Sequence, residues 1–209
     1  TATAGSRVVL IGTGSMNGAG GVNNYDGSGA GGAGGSVLVD ASVLEGVGLV
    51  RTNGGAGADN SATTSRRGSG GSGGRLAFHV VDRSGWRGTT QAFGMAFGQY
   101  VNAAGTVYWC HGAAPCVRRL EVDNNGMVVS LAADRDTQLA DSGRLEYELD
   151  EVDVRGSAIL AADVPTPSGT DRAVLTVKAL YGDASGTIRT GSRRDLVVLG
   201  PRGTSQSLW

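Results

Sequence analysis

Two glycine-rich stretches that lead directly into apolar residues decide the fold: Gly31-Gly-Ala-Gly-Gly-Ser-Val-Leu-Val39 and, 39 positions later, Gly70-Gly-Ser-Gly-Gly-Arg-Leu-Ala-Phe78. Stacked strands approach to about 4.8 Å, and glycine fits such a corner because it lacks Cβ and tolerates a positive φ. Flexible linkers also contain glycine and serine, but a linker would not enter an apolar strand twice in the same register. We therefore predict structural corner glycines at Gly31, Gly32, Gly34, Gly35, Gly70, Gly71, Gly73 and Gly74.

Short apolar stretches recur along the chain, each bounded by Gly, Asn, Asp or Ser. None continues at helical spacing, and the pattern is typical of strands. Residues Leu145-Glu-Tyr-Glu-Leu149 alternate strictly, and the alternation restarts in a new phase at Val152-Asp-Val154. A phase shift without a turn dipeptide indicates a strand that bends, not a hairpin. The sequence predicts an all-β fold.

The glycine-rich segments form an imperfect repeat. Asn17-Gly-Ala-Gly20 and Asn53-Gly-Gly-Ala56 lie 36 positions apart, close to the 39-residue spacing of the strand entries. Periods of this size are typical of stacked units. We therefore expect a right-handed parallel β-helix with glycine-rich corners and surface loops. It would form one elongated module over residues 1–209, with a candidate sub-boundary near residues 132–143, and would be a piece of a longer chain because no initiator methionine is present.

Several motifs carry a resemblance to a known family. The strand entries at Gly31 and Gly70 are followed by Ala104-Gly-Thr-Val-Tyr-Trp109 and by Val122-Asp-Asn-Asn-Gly126. This succession resembles the glycine-rich parallel β-helix modules of very large secreted or cell-surface proteins of bacteria and protists. The CHGAAPC loop departs from the family pattern. The resemblance implies a fold and an extracellular setting, and it implies no chemistry.

Charge and hydropathy exclude some partners. The formal net charge is −1, which gives no electrostatic basis for binding nucleic acid or an acidic membrane. The sequence has no apolar run of about 18 residues, so we expect no membrane insertion.

The two cysteines, Cys110 and Cys116, are separated by five residues. This spacing is too open for a redox pair, and a second pair of ligands for a zinc site is lacking. We therefore predict a loop-closing disulfide with His111 exposed at the tip of the loop. A disulfide implies an oxidising, extracellular compartment.

Candidate catalytic groups are sparse. Neither His79 nor His111 has a recognisable partner, so we interpret both as structural or solvent-facing. The densest acidic segment, residues 146–153, alternates with apolar residues, as a solvated strand face does. Asp123-Asn-Asn-Gly126 reads as a turn because it lacks the spacing of calcium ligands. The sequence predicts no enzyme activity, no cofactor and no metal site.

Two functional hypotheses remain. In the first, the protein is an extracellular structural module, either a rigid spacer or a subunit of a cell-surface filament, that contacts flanking domains or other copies of itself. In the second, it is a carbohydrate-binding adhesin or a polysaccharide-active domain. The second hypothesis requires exposed aromatic side chains beside carboxylates, for which Trp86, Tyr100, Tyr108 and Trp109 are candidates.

Overall fold

A computed structural model gives the structure of the protein over residues 7–10, 15–17, 30–57, 69–97, 100–128, 136–139, 146–161, 173–189 and 194–198. These residues form strands, turns and irregular segments without any helix, so the all-β prediction is confirmed. The candidate sub-boundary near residues 132–143 lies outside the described residues except at positions 136–139.

In chain order the strands are β1 (Arg7–Leu10), β2 (Ser15–Asn17), β3 (Ser36–Gly46), β4 (Leu49–Arg51), β5 (Arg75–Asp82), β6 (Thr89–Gln91), β7 (Ala96–Phe97), β8 (Tyr100–Val101), β9 (Thr106–His111), β10 (Val117–Asp123), β11 (Thr137–Gln138), β12 (Glu146–Arg155), β13 (Ile159–Ala161), β14 (Ala173–Gly182), β15 (Thr187–Arg189) and β16 (Arg194–Val198).

The largest sheet has eight strands in the order β1-β3-β5-β9-β10-β12-β14-β16. All neighbouring pairs in it are parallel except β9 and β10, which are antiparallel. The predicted right-handed parallel β-helix is therefore wrong, because a mixed sheet whose strand direction reverses in the middle is not a single parallel solenoid. Sequence periodicity reports that strands stack, but it does not report the direction in which each strand runs.

The remaining strands form three smaller sheets. One contains β2, β4 and β6, another contains β11, β13 and β15, and both are parallel. The third is the antiparallel pair of β7 and β8. Each three-stranded sheet takes one strand from each of three successive connections of the large sheet: β2, β4 and β6 lie between β1 and β9 in the chain, and β11, β13 and β15 lie between β10 and β16.

The antiparallel pair switches which face of the large sheet is buried. In β9, Val107 and Trp109 are buried, while Tyr108 between them points to the opposite face. Directly opposed residues share a face, and Leu120 of β10 lies opposite Tyr108, not opposite Trp109. The buried side chains of β10 therefore lie on the face that β9 uses for Tyr108.

Two hydrophobic cores result, one on each face of the sheet. The first core contains Val39, Ala41, Leu44, Val50, Leu76, Phe78, Val80, Ala92, Val107 and Trp109. The second core contains Ala104, Leu120, Val122, Leu149, Val152, Val154, Ala158, Leu160, Leu175, Val177, Leu180 and Ile188. In the first core the rings of Phe78 and Trp109 stack with their centroids 4.0 Å apart.

Strand β12 passes through the phase shift as one continuous strand. Leu149 is buried before the shift, and Val152 and Val154 are buried after it. The neighbouring strand β14 has the same shift, since Leu149 pairs with Val177 and Val152 pairs with Leu180. The phase shift is therefore a property of both strands, and apolar side chains on each side of it lie in the second core.

The glycine-rich corners lie against one another. Gly34 donates its N–H to the Ser72 carbonyl, at 2.9 Å. A Cβ at Gly34 would lie closer than 3.0 Å to the Thr52 carbonyl and the Gly74 amide, and a Cβ at Gly73 would meet the Ala92 carbonyl and the Gly105 amide in the same way. None of the eight predicted corner glycines is among the described glycines with positive φ. At Gly31, Gly34, Gly70, Gly71, Gly73 and Gly74, close backbone approach and not a left-handed conformation is the reason that glycine is required.

This geometry predicts that Gly34→Ala destabilises the protein. The added methyl group collides with backbone atoms, which cannot rotate away, so we expect a loss of about 3 kcal/mol of unfolding free energy. Urea denaturation measures the loss. Ala33→Ser is the control, because Ala33 is exposed on the same corner and already carries a Cβ. Equal stability of Gly34→Ala and Ala33→Ser would contradict the close-approach explanation.

Candidate functional site

A groove of about 360 Å³ lies beside the β9–β10 junction. We call it the junction groove and define it by the side chains that give it chemical character: Arg75, Tyr108, Arg118, Gln138, Tyr147 and Glu148. Leu120, Leu139 and Leu149 add apolar surface to its lining. The groove combines aromatic, cationic, acidic and amide side chains around an apolar surface.

The face switch creates the groove. Tyr108 is carried by a strand that belongs to the first core, yet its side chain packs at the edge of the second core together with Tyr147. Both rings are half-buried. Each tyrosine therefore has one ring surface fixed by packing and another that lines the groove.

Arg118 is held in place by two carboxylates. Its side chain lies 3.5 Å from Glu148 and 3.4 Å from Asp150, and its backbone N–H donates to Asp150 at 2.7 Å. Lys178 contacts the other oxygen of Asp150 at 2.6 Å. Burial opposes ionisation of Asp150, but the hydrogen bonds from Lys178 and Arg118 outweigh it and lower the pKa of Asp150 to about 2. Asp150 thus remains a carboxylate that positions Arg118.

Arg75 differs from Arg118 in its charge balance. It is exposed at the start of β5, and no described residue forms an ion pair or a side-chain hydrogen bond with it. Arg75, Thr106 and Gln138 also line a second cleft of about 170 Å³, beside Gly73, Gly74 and Gly105. The shared side chains make the two clefts one elongated surface, with a cation at its middle that no described residue compensates.

The opposite face of the same strands carries a compensated ion network. Arg119 lies 2.7 Å from Glu121, 2.9 Å from Glu151 and 2.9 Å from Asp153. Burial alone would lower the pKa of Arg119, but Glu121 and the other carboxylates raise it. Asp153, which is 5% exposed, also contacts Arg155 at 3.4 Å. The acidic segment that looked like a solvated face in the sequence therefore contains one buried, doubly paired carboxylate.

The predicted position of His111 is wrong. Strand β9 continues through His111, which pairs with Val117 and is half-buried instead of lying at a loop tip. Its Nε2 lies 3.1 Å from the Arg83 guanidinium, which in turn covers the Trp109 ring at 4.6 Å. Burial, and then the charge of Arg83, lower the pKa of His111. His79 is exposed and touches Tyr108 edge-on, at 6.1 Å between centroids.

The aromatic candidates separate into two groups. Trp109 is 2% exposed in the first core and Trp86 packs against that core, so neither offers a free ring face on the groove. The side chain of Tyr100 lies outside the described residues. Tyr108 lines the groove, and Tyr147 lies beside it. The strict alternation around Tyr147 indicated its burial but not its neighbour.

The segment Asp123–Gly126 forms a turn, as predicted. Asp123 accepts the Asn125 N–H at 2.7 Å, and Asn125 and Gly126 have positive φ. Asn124 is fully buried; its side chain accepts the Gly94 N–H at 3.0 Å and donates to the Asn102 carbonyl at 3.2 Å. This asparagine therefore ties the turn after β10 to the segment before β9.

Cys110 and Cys116 form a disulfide, with their Cα atoms 5.3 Å apart. It closes the β9–β10 hairpin, where Arg118 pairs with Cys110 and His111 with Val117. The described residues contain no cluster of three or more His, Cys, Asp or Glu that could hold a metal ion. They also contain no helix of the length and hydropathy needed to cross a bilayer.

Comparisons with protein-family models, with curated protein sequences and with solved structures found no match.

Removal of the disulfide should weaken the hairpin but leave the fold intact. The ring is small, so the chain-entropy model gives a contribution of about 2 kcal/mol. We expect Cys110→Ser with Cys116→Ser to lower the unfolding free energy by about that amount, measured by urea denaturation, while circular dichroism at neutral pH remains that of the wild type. Loss of the β spectrum would contradict the view that the sheet holds the hairpin independently of the bond.

Asp150 makes stability pH-dependent. Because its folded-state pKa lies below its ordinary value, its stabilising contribution is complete above about pH 4 and is lost as the pH falls towards 2. After allowance for solvent screening, we expect the contribution of Asp150 to the unfolding free energy to be about 1 kcal/mol. Unfolding measured between pH 5 and pH 2 should show a flatter pH dependence for Asp150→Asn than for the wild type. Glu148→Gln is the control, since Glu148 is 70% exposed; an equal change in both variants would contradict the assignment.

Proposed function

We propose that the protein is an extracellular structural module that acts as a rigid spacer or as a subunit of a cell-surface fibre. The supporting observation is the large sheet, whose outermost strands β1 and β16 each pair with only one described strand. Both have apolar sequences, Val8-Val9-Leu10 and Leu196-Val197-Val198. A strand edge with unpaired N–H and C=O groups is a template for pairing with another strand.

The packing of the sheet favours a mechanical role. Fully buried aliphatic side chains recur on successive strands of the second core, where Val152 and Leu180 occupy the same register. The first core repeats the arrangement with Leu76 opposite Val107 and Phe78 opposite Trp109. Side chains in such close-packed ladders have little freedom to move. A module packed in this way would transmit a mechanical force with little change in its own structure.

The disulfide supports the extracellular setting. Disulfides persist in oxidising compartments and are rare where thiols are kept reduced. Cys110 and Cys116 are the only cysteines in the chain, so no other thiol competes for the bond.

The fibre hypothesis is tested by sedimentation velocity over a range of concentrations, with two proline variants at adjacent positions of β1. Along a parallel edge strand, successive N–H groups point alternately towards the neighbouring strand and away from it. One of the two variants, Val8→Pro or Val9→Pro, should therefore keep the wild-type melting temperature. In that variant proline removes an N–H that points away from β3 and makes no hydrogen bond to it. We expect that variant to remain monomeric where the wild type forms a series of oligomers.

The other proline variant should melt at a lower temperature, because it loses a hydrogen bond to β3. A wild-type protein that stays monomeric up to millimolar concentration would show that it is not a fibre subunit. A thermally unperturbed proline variant that assembles like the wild type would show that the β1 edge is not the contact.

A further inference from the structure

We propose that the junction groove binds an acidic saccharide, a chain of carboxylate-bearing sugars, in addition to any structural role of the module. The proposal is independent of fibre assembly, since it uses neither edge strand. It rests on the combination of Tyr108 and Tyr147, the cation of Arg75 and the elongated shape of the groove.

The size and shape of the junction groove and the adjoining cleft suit a short segment of a linear polymer. The main cleft of about 360 Å³ falls in the range of small-molecule sites. The second cleft of about 170 Å³ extends it past Arg75 and Thr106 along the glycine backbone of the corner. An elongated surface that is open along its length can accept internal units of a chain.

The two tyrosines supply flat surfaces. Sugar rings present apolar C–H faces beside polar edges, and a tyrosine ring matches this with an apolar face and a hydroxyl at its edge. Packing against the second core fixes Tyr108 and Tyr147 in place, so little side-chain entropy is lost when a ligand binds. Gln138 is exposed, and its amide offers both a donor and an acceptor for sugar hydroxyls.

The charge of Arg75, which is unpaired among the described residues, favours an acidic ligand over a neutral one. Arg118 is already neutralised by Glu148 and Asp150, whereas Arg75 has no described anionic partner. A planar guanidinium pairs with a planar carboxylate through two parallel hydrogen bonds. Glu148 at the rim, 70% exposed, disfavours a densely charged polyphosphate. Asp136, which lines the second cleft, is paired with Arg189 at 2.8 Å. One available cation between two fixed ion pairs matches a ligand with widely spaced carboxylates.

Isothermal titration calorimetry with hexagalacturonate tests the proposal, and the fully methyl-esterified hexamer serves as its neutral counterpart. We expect micromolar binding of the acid and at least tenfold weaker binding of the ester. Arg75→Gln should weaken binding of the acid about tenfold and leave binding of the ester unchanged. The matched control Arg87→Gln removes an exposed arginine whose guanidinium donates to the backbone carbonyls of Ser84 and Trp86, and it should bind like the wild type.

A second pair of variants tests the aromatic surface. Tyr147→Phe keeps the ring and should retain binding within about threefold, whereas Tyr147→Ala should abolish it while thermal melting verifies that the protein is folded. If Tyr147→Ala does not fold, the binding measurements with Arg75→Gln alone test the proposal. The proposal is overturned if the folded wild type does not bind hexagalacturonate at millimolar concentration, if Arg75→Gln binds as tightly as the wild type, or if only a sulfated oligosaccharide binds.

Discussion

The antiparallel pairing of β9 with β10 is the constraint on which the rest of the structure depends. Its register places Leu120 opposite Tyr108 and Arg119 opposite Trp109. Because directly opposed side chains share a face, the apolar residues of β10 are committed to the face that β9 does not use for Val107 and Trp109. The later strands β12 and β14 of the large sheet pair in parallel register after β10, so their apolar side chains are directed to the same face as those of β10. A shift of one residue would place Arg119 against the second core and Leu120 beside Trp109.

Strand content and the crowded corners could be predicted from the sequence. Alternation of apolar and polar residues identified β12, and runs of glycine that lead into Val37 and Leu76 indicated the strands β3 and β5 and the close approach of neighbouring backbones. Both inferences use only local rules of strand geometry. The expected parallel solenoid was wrong because the repeat at Gly31 and Gly70 covers only the first half of the sheet, and that repeat carries no information about the strands after the β9–β10 hairpin.

The strand at which the reversal occurs is apolar on both faces. Val107-Tyr108-Trp109 is a continuous apolar run, whereas a strand with one buried face alternates. Continuous runs are typical of strands covered on both faces, and β9 is such a strand, with Trp109 in the first core and Tyr108 against the second. The candidate site was harder to predict, since Arg75, Tyr108 and Tyr147 come from three strands that only the tertiary register brings together.

A sheet that changes its buried face must leave two notches, one on each side of the strand where the change occurs. On one side, the notch is filled by Arg83, which covers the Trp109 ring, contacts His111 and lies near the carboxylates around Arg119. On the other side, Tyr108 lies between Ala77 of β5 and Leu120 of β10. Tyr108 and Leu120 line the junction groove together with side chains of β5 and β12, so the groove lies where the buried face changes. One side of the switch is thus a network of ion pairs around Arg119, while the other side is an open cleft in which Arg118 is paired and Arg75 has no anionic partner among the described residues.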